Sequence, residues 1–526
     1  MIDPSDERET LTFKRSFFGT LKRKEGVILI FCLLAGLSLR FYAFDQKSLW
    51  VDEIYTLNDS RDSLKGQLEF YGKNPSYPQA PLFFALTHLF SPFSKPEKEL
   101  RIFPVLFGAL SIPALYYLAR LFSPSIAIPC TISLTLMTYH ISLSQDARSY
   151  SLLMFLATLG LSLLMKYLVT LRKRYLVPGA FVYALLFYTS YSSLPFLAFS
   201  QILWLYRTNE ERPQPSLSAF FTFNALLLFF CAPWALFLFL SYTGQPLTQI
   251  IAHPFDRGEI SVYEIIYGIF HDWMPFPPLM ILSALFFVFS LFTAGTKRNS
   301  LLFLTILFLP LVSLYIFCKW INIQHHFASR YFICFLPLFL IALYLSIQGI
   351  ECNIRRYLKT VNLTGLFLFL LIASNLALLP LYYRSEKQDY RRLATFLKLH
   401  LQEGDKIIDA DGRLVGLLYY LGVPVQGRFY FLDYRKFTQE ETEFRKSFVY
   451  QNRVFTIYYS KTCCSQYLGD GKRLWILAER ESAEWLKENT PSVAISTEVF
   501  LMAPGPPRMP PCIFFSGISN RLTRRE

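Results

Sequence analysis

The chain has 526 residues, of which 53% are hydrophobic, 17% aromatic and only 17% charged. Soluble domains carry about 25% charge, so this composition excludes an ordinary soluble globular protein and points to an integral membrane protein. The net charge of +14 argues for topology signals rather than nucleic acid, because the basic residues gather in short loops between apolar segments and no basic helix with interleaved aromatics occurs.

Residues 1–25 are polar and place Lys14, Arg15, Lys22, Arg23 and Lys24 just before the first apolar segment. They read as an uncleaved cytoplasmic segment. The first span is expected over 26–44. The loop 45–100 that follows holds one apolar piece, 80–93, which falls short of the roughly 20 residues a spanning helix needs and is read as interfacial or re-entrant. Later spans are expected over 101–121, 126–143, 149–171, 175–191, 194–206, 217–242, 275–293, 301–317, 332–347 and 363–383, about eleven spans in all by that length rule. This alternation puts Arg172-Lys173-Arg174, Arg207 with Arg212, Lys297-Arg298 and Arg355-Arg356 with Lys359 in the cytoplasm, as basic loops require. The C-terminus is then extracytoplasmic.

From 384 onward charges become frequent and apolar runs shorten. A helix over 390–401, strands over 406–409, 429–432, 454–458 and 474–477, and a helix over 481–488 make 384–503 a small extracytoplasmic α/β domain. Residues 504–526 are rich in Pro and Arg and read as a flexible tail. Six of the nine cysteines, Cys32, Cys130, Cys231, Cys318, Cys334 and Cys352, fall in or near apolar segments and pack as small hydrophobes. Cys463 or Cys464 could bridge to Cys512 if their domain is extracytoplasmic.

Ser48-Leu-Trp-Val-Asp52-Glu53-Ile-Tyr-Thr56 sets two adjacent carboxylates against the far membrane surface. Acids beside hydrocarbon are costly unless they are paired or have work to do. Gln145-Asp146-Ala147-Arg148-Ser149-Tyr150 and Ser329-Arg330-Tyr331-Phe332 also fall where a loop meets a span. There a polar side chain can meet an amphiphile whose tail lies in lipid. Each residue has two readings. Asp52 caps a helix that Glu53 favours electrostatically, or it is a general base. Asp146 and Arg148 pair with each other, or line a site. Arg330 snorkels to headgroups, or grips phosphate as a planar fork. The His325-His326 pair lacks the i, i+4 spacing of a helical zinc site, so His326 reads as structural or phosphate-contacting rather than metal-binding. No CxxC or Cys/His metal spacing occurs, and the sequence calls for no cofactor.

The order and setting of these motifs resemble the bacterial family 39-like glycosyltransferases of the GT-C class, relatives of protein mannosyltransferases and lipid A aminoarabinose transferases. The resemblance covers most of the membrane part. It rests on 145–150, which match a Gln-acidic-Ala-Arg-x-Tyr pattern, and on Arg330, Tyr331 and Pro337, which match Arg-Tyr-x(5)-Pro. The loop Gln79-Ala80-Pro81 departs from the His-Pro-Pro or Glu-Lys-Pro of relatives, which weakens any inference about the donor sugar. The resemblance implies a membrane all-α fold, a polytopic GT-C-type helical bundle over 26–383, in a multi-pass inner-membrane protein. Its implied activity is transfer of a sugar from a polyprenyl-phosphate donor to a hydroxyl of an envelope glycan, lipid or protein. Asp52 would be the base of an inverting displacement and Asp146 its support. Glu53, Arg148, Tyr150, Arg330, Tyr331 and His326 would contact substrate. The rival reading, a transporter or flippase for a lipid-linked glycan, requires charges deep within spans and an inverted repeat; the charges singled out here sit at span ends.

Overall fold

The computed structural model describes residues 23–73, 79–206, 215–244, 262–292, 297–320, 328–355, 360–402, 405–409, 414–422, 443–450, 453–460, 474–479, 494–498 and 512–518. The membrane part consists of α1 (Arg23–Phe41), α2 (Val51–Arg61), α3 (Leu64–Lys73), α4 (Pro81–Thr87), α5 (Pro96–Phe122), α6 (Pro124–Leu136), α7 (Thr138–Ser144), α8 (Tyr150–Thr170) and α9 (Leu176–Thr189). It continues through α10 (Leu194–Phe199), α11 (Leu217–Tyr242), α12 (Val262–Trp273), α13 (Pro277–Ser290), α14 (Lys297–Trp320), α15 (Leu336–Ile354) and α16 (Leu363–Arg384). Prolines open α4, α5, α6, α13 and α15, where their missing N–H costs nothing.

Among the described residues six helices are long and apolar enough to cross a membrane, or up to eight if the bent pairs α6–α7 and α12–α13 each count as one span. The helical part is that of a multi-pass membrane protein. The expected count of about eleven also took in α1, α9 and the α10 segment. By length and composition these do not qualify: α1 carries Arg23, Lys24, Glu25 and Arg40, and α9 has only 14 residues, about 21 Å of helix against a hydrocarbon core of about 30 Å. The apolar piece after Ala80 is a seven-residue helix followed by a three-residue 3-10 turn, too short to cross.

Helix α5 packs on α1, α6 and α8. Its contact with α7 depends on Gly108, where a Cβ would stand 2.1 Å from Ser144 Oγ and 2.6 Å from its Cβ. The span ending in α15 is the central one, 78% buried against 17% for α11, and Leu338 to Leu343 along it are buried almost completely. The 59° bend between α6 and α7 frees backbone groups that must find partners inside the bundle. Arg40, fully buried, donates to the carbonyls of Leu134 (3.1 Å) and Thr135 (3.3 Å) on one side of the break. Asn375 Oδ1 accepts from Thr138 N–H (2.8 Å) on the other. Arg40 also meets Ser144 Oγ at 3.3 Å and His140 Nδ1 at 2.7 Å. Its charge thus fastens the bend that delivers 145–150 to the site.

After α16 come α17 (Tyr390–His400), β1 (Lys406–Asp409), α18 (Leu414–Leu421), β2 (Glu443–Tyr450), β3 (Arg453–Ser460), β4 (Leu474–Glu479), β5 (Ala494–Glu498) and β6 (Cys512–Ile518). The strands form one mixed sheet in the order β2-β3-β1-β4-β6-β5, with β1 parallel to β3 and β4 and the other pairs antiparallel. Leu393, Leu397, Leu417, Leu421 and Trp475 form a small core between α17, α18 and the sheet. Within the stretch 504–526, expected to be a flexible tail, Cys512–Ile518 forms strand β6, and the rest of that stretch lies outside the described residues. The apolar, β-prone run Cys512-Ile-Phe-Phe inserts between β4 and β5, and the flanking prolines and arginines disguised it. The expected strand over 429–432 and helix over 481–488 lie outside the described residues, as do Cys463 and Cys464.

Candidate active site

Helix α2 carries both acids of the first motif in its first turn, and the two have different surroundings. Glu53 is fully buried. Its Oε1 accepts from Arg101 Nε (2.7 Å) and Ala147 N–H (2.7 Å), and its Oε2 from Arg101 Nη2 (2.6 Å) and Trp50 N–H (3.2 Å). Burial by itself would raise this carboxyl; the Arg101 guanidinium and the N–H donors overcome it and hold it below the ordinary range. Arg101 in turn donates to the carbonyls of Phe44, Lys47 and Ser48. This knot ties α2, α5 and the 146–148 loop together, so Glu53, expected on substrate, has both oxygens occupied by protein. Nothing in the sequence linked it to Arg101, 48 residues on.

Asp52 is one residue earlier and half-buried. Its backbone carbonyl accepts from Thr56 Oγ1 at 3.2 Å and Arg148 Nη1 at 3.3 Å. Arg148 also reaches Thr56 Oγ1 at 3.3 Å. The Asp52 carboxylate lies within electrostatic reach of Tyr150 and Arg330, so the structure brings the first, second and third motifs to one place. Arg330 and Tyr331 sit on the 3-10 turn Ser329–Phe335. The Arg330 guanidinium stands 5.9 Å from the Trp50 ring and 5.2 Å from that of Tyr331. Three buried donors in this cluster, Arg330 Nε, Tyr150 Oη and Trp50 Nε1, find no hydrogen-bond partner among the described residues. Phe332 and Phe335 of the same turn line an apolar cavity with Ile269, Phe270, Trp273 and Leu307. His326 lies outside the described residues.

Asp146 is 4% exposed and pairs with Lys387 rather than with Arg148. Burial raises its carboxyl, and Lys387 pulls the other way. Lys387 also sits 4.6 Å from the centre of the Trp50 ring, so that ring meets two cations. Gln145 fixes the loop beneath, donating to the carbonyls of Arg40 (3.0 Å) and Tyr42 (2.8 Å) and accepting from Tyr382 Oη (2.8 Å). Sequence reasoning missed Lys387. It stands in a charged stretch just after the last apolar segment, and its basic character alone gave no sign of where it would reach. His271 and Asp272 lie nearby, with Asp272 accepting from Ser329 Oγ. Among the described residues no three His, Cys, Asp or Glu side chains gather as a metal site.

No protein-family model and no curated protein matches the chain. Solved structures do. The chain is similar to ArnT from Cupriavidus metallidurans in the apo state, with 12% identity, a TM-score of 0.53 and coverage of 93% of this chain and 98% of that one. The same protein bound to undecaprenyl phosphate gives 13%, 0.50, 93% and 97%. The apo oligosaccharyltransferase of Archaeoglobus fulgidus gives 11%, 0.43, 76% and 64%. At such identities the likeness to ArnT is one of fold, and it runs nearly the whole length of both chains: this protein has the GT-C glycosyltransferase fold.

Proposed function

We propose that the protein is a membrane glycosyltransferase that moves a hexosyl or pentosyl group from a polyprenyl-phosphate donor to a hydroxyl acceptor in the cell envelope. The observation that carries this reading is the half-buried Asp52 carboxylate beside three buried donors, Arg330 Nε, Tyr150 Oη and Trp50 Nε1, that find no acceptor among the described residues. Buried donors without acceptors are costly, and a phosphate beside Asp52 would satisfy them. Asp52 takes the proton from the acceptor hydroxyl, whose oxygen attacks the anomeric carbon as the bond to the phosphate oxygen breaks. The phosphate leaves with the bonding pair, and Arg330, with Arg148 in reach, stabilises its charge. Tyr331 flanks the Arg330 guanidinium. Asp146, neutralised by Lys387, supports the loop, and Glu53 is a positioning residue. The site and the C-terminal domain face the extracytoplasmic side of the inner membrane, which the basic loops at Lys173 and Lys297 support. The presence of undecaprenyl phosphate in one structure of the same fold agrees with this donor class.

Mass spectrometry of envelope glycans and glycoproteins with and without the protein identifies donor sugar and acceptor by what is lost. With that pair in hand, Asp52→Asn should lower turnover on the order of 10²-fold to 10⁴-fold with little change in thermal stability, since Asn caps a helix nearly as well as Asp. A fully active Asp52→Asn protein would remove Asp52 from the mechanism.

A further inference from the structure

The helix that carries Asp52 begins in an unusual way. The three residues leading into it and its first residue are buried, with Ser48, Leu49, Trp50 and Val51 at 4%, 0%, 3% and 7% exposure, and the helix's own backbone ladder takes up none of their N–H groups. Each must therefore find an acceptor. Trp50 N–H finds Glu53 locally. The other three are satisfied by side chains more than 330 residues away, on the far side of the last apolar helix. Ser48 N–H donates to Glu386 Oε2 at 3.2 Å, Leu49 N–H to Tyr420 Oη at 2.7 Å, and Val51 N–H to Gln388 Oε1 at 2.8 Å. The clasp is braced from outside. Tyr420 Oη donates to Glu97 Oε1 at 2.9 Å, Arg391 pairs with Glu97 at 3.2 Å, and Arg391 Nη1 donates to the Gln46 carbonyl at 2.9 Å. Between Glu386 and Gln388, Lys387 takes Asp146 and covers Trp50. Three consecutive side chains of this segment thus grip both site loops.

We infer that Gln388 and Tyr420 are positioning residues for the reaction, setting the Asp52 carboxylate through the backbone N–H groups at the start of its helix. The C-terminal domain, by this inference, completes the active site rather than serving as a separate binding module. It rests on the reading of Asp52 as the base. The acceptor hydroxyl must meet that carboxylate in a near-attack geometry, and a displacement of about 1 Å can cost on the order of 10²-fold in rate.

The test uses the full-length protein in lipid nanodiscs. Gln388→Leu keeps the size of the side chain but removes the acceptor of Val51 N–H, Tyr420→Phe removes that of Leu49 N–H, and Gln388→Glu retains an oxygen for the same bond. Gln388→Leu and Tyr420→Phe should each lower kcat roughly 10-fold to 100-fold, leave KM for the lipid-linked donor unchanged, speed amide exchange in the 48–52 stretch, and lower thermal stability modestly, since each leaves one buried N–H without its acceptor. Gln388→Glu should restore most of the rate. Parental kcat in Gln388→Leu, with Asp52→Asn inactive, would overturn the inference and leave the base assignment standing. Equal kcat losses in the Leu and Glu variants, despite the oxygen that Glu retains for Val51 N–H, would reduce Gln388 to a structural contact and overturn it as well. A fully active Asp52→Asn would overturn the base assignment and this inference with it.

Discussion

Replacing Glu53 with Gln should unfold the neighbourhood of the site rather than slow its chemistry, although Glu53 adjoins the proposed base. The carboxylate accepts four hydrogen bonds, two of them from an Arg101 side chain that is 3% exposed. Gln turns one accepting oxygen into a donor, so at least one Arg101 N–H faces an N–H and the buried guanidinium loses its countercharge. Breaking one side of a buried ion pair costs about 3–5 kcal/mol, a large share of the ~5–15 kcal/mol that holds a typical domain together. Thermal unfolding in detergent, followed by fluorescence-detected size exclusion, reads the loss directly. Arg101→Gln should cost a similar amount, and the double variant less than the two single losses added, because both damage the same contact. The sign with pH is fixed by the depressed folded-state pKa of Glu53. Its contribution is complete above the unfolded value near 4.5 and disappears as pH falls through the lower folded value, so the gap between parent and Glu53→Gln should close only in strong acid. A Glu53→Gln protein with parental thermal stability and no activity would refute the reasoning and move the chemistry one residue along.

Arg330→Lys should raise the donor concentration needed for half-maximal rate without lowering thermal stability, since Lys keeps the charge and loses the planar fork; equal donor dependence would assign Arg330 to lipid anchoring. Gly108→Ala should destabilise by about 1–3 kcal/mol, because its new Cβ would stand 2.1 Å from Ser144 Oγ; an unshifted melting profile would contradict the close packing of α5 on α7. Burial, with help from Lys387 and Arg101 and against Glu386 and Asp146, pushes Lys47 down to about 7. A lysine whose folded-state pKa is lowered makes the protein gain stability as pH rises from about 7 toward its unfolded value of 10.5. Lys47→Met should therefore show its greatest stability advantage over the parent at pH 7 and below, shrinking toward pH 10. A gap that widens over that range would contradict this environment for Lys47.

The sequence by itself determined the helical membrane architecture, because a hydrocarbon layer of fixed thickness imposes a length and composition that can be read from residues near one another in the chain. For the same reason it located the three stretches carrying Asp52, Asp146 and Arg330, since polar residues at the ends of apolar runs stand out locally. It could not separate Asp52 from Glu53, because only the arrival of Arg101, 48 positions later, buries one acid and leaves its neighbour half-exposed. Nor did hydropathy mark the break at Met137: α6 and α7 read as one apolar run, and their bend is held by Arg40 and Asn375 from two other helices. The partners of the site's loops, Glu386, Lys387, Gln388 and Tyr420, belong to a charged segment whose local pattern is that of any soluble domain. Only the tertiary structure assigns them to the site, because hydrogen bonds and ion pairs depend on distances that long-range folding sets, whereas apolar burial leaves its mark in the sequence residue by residue.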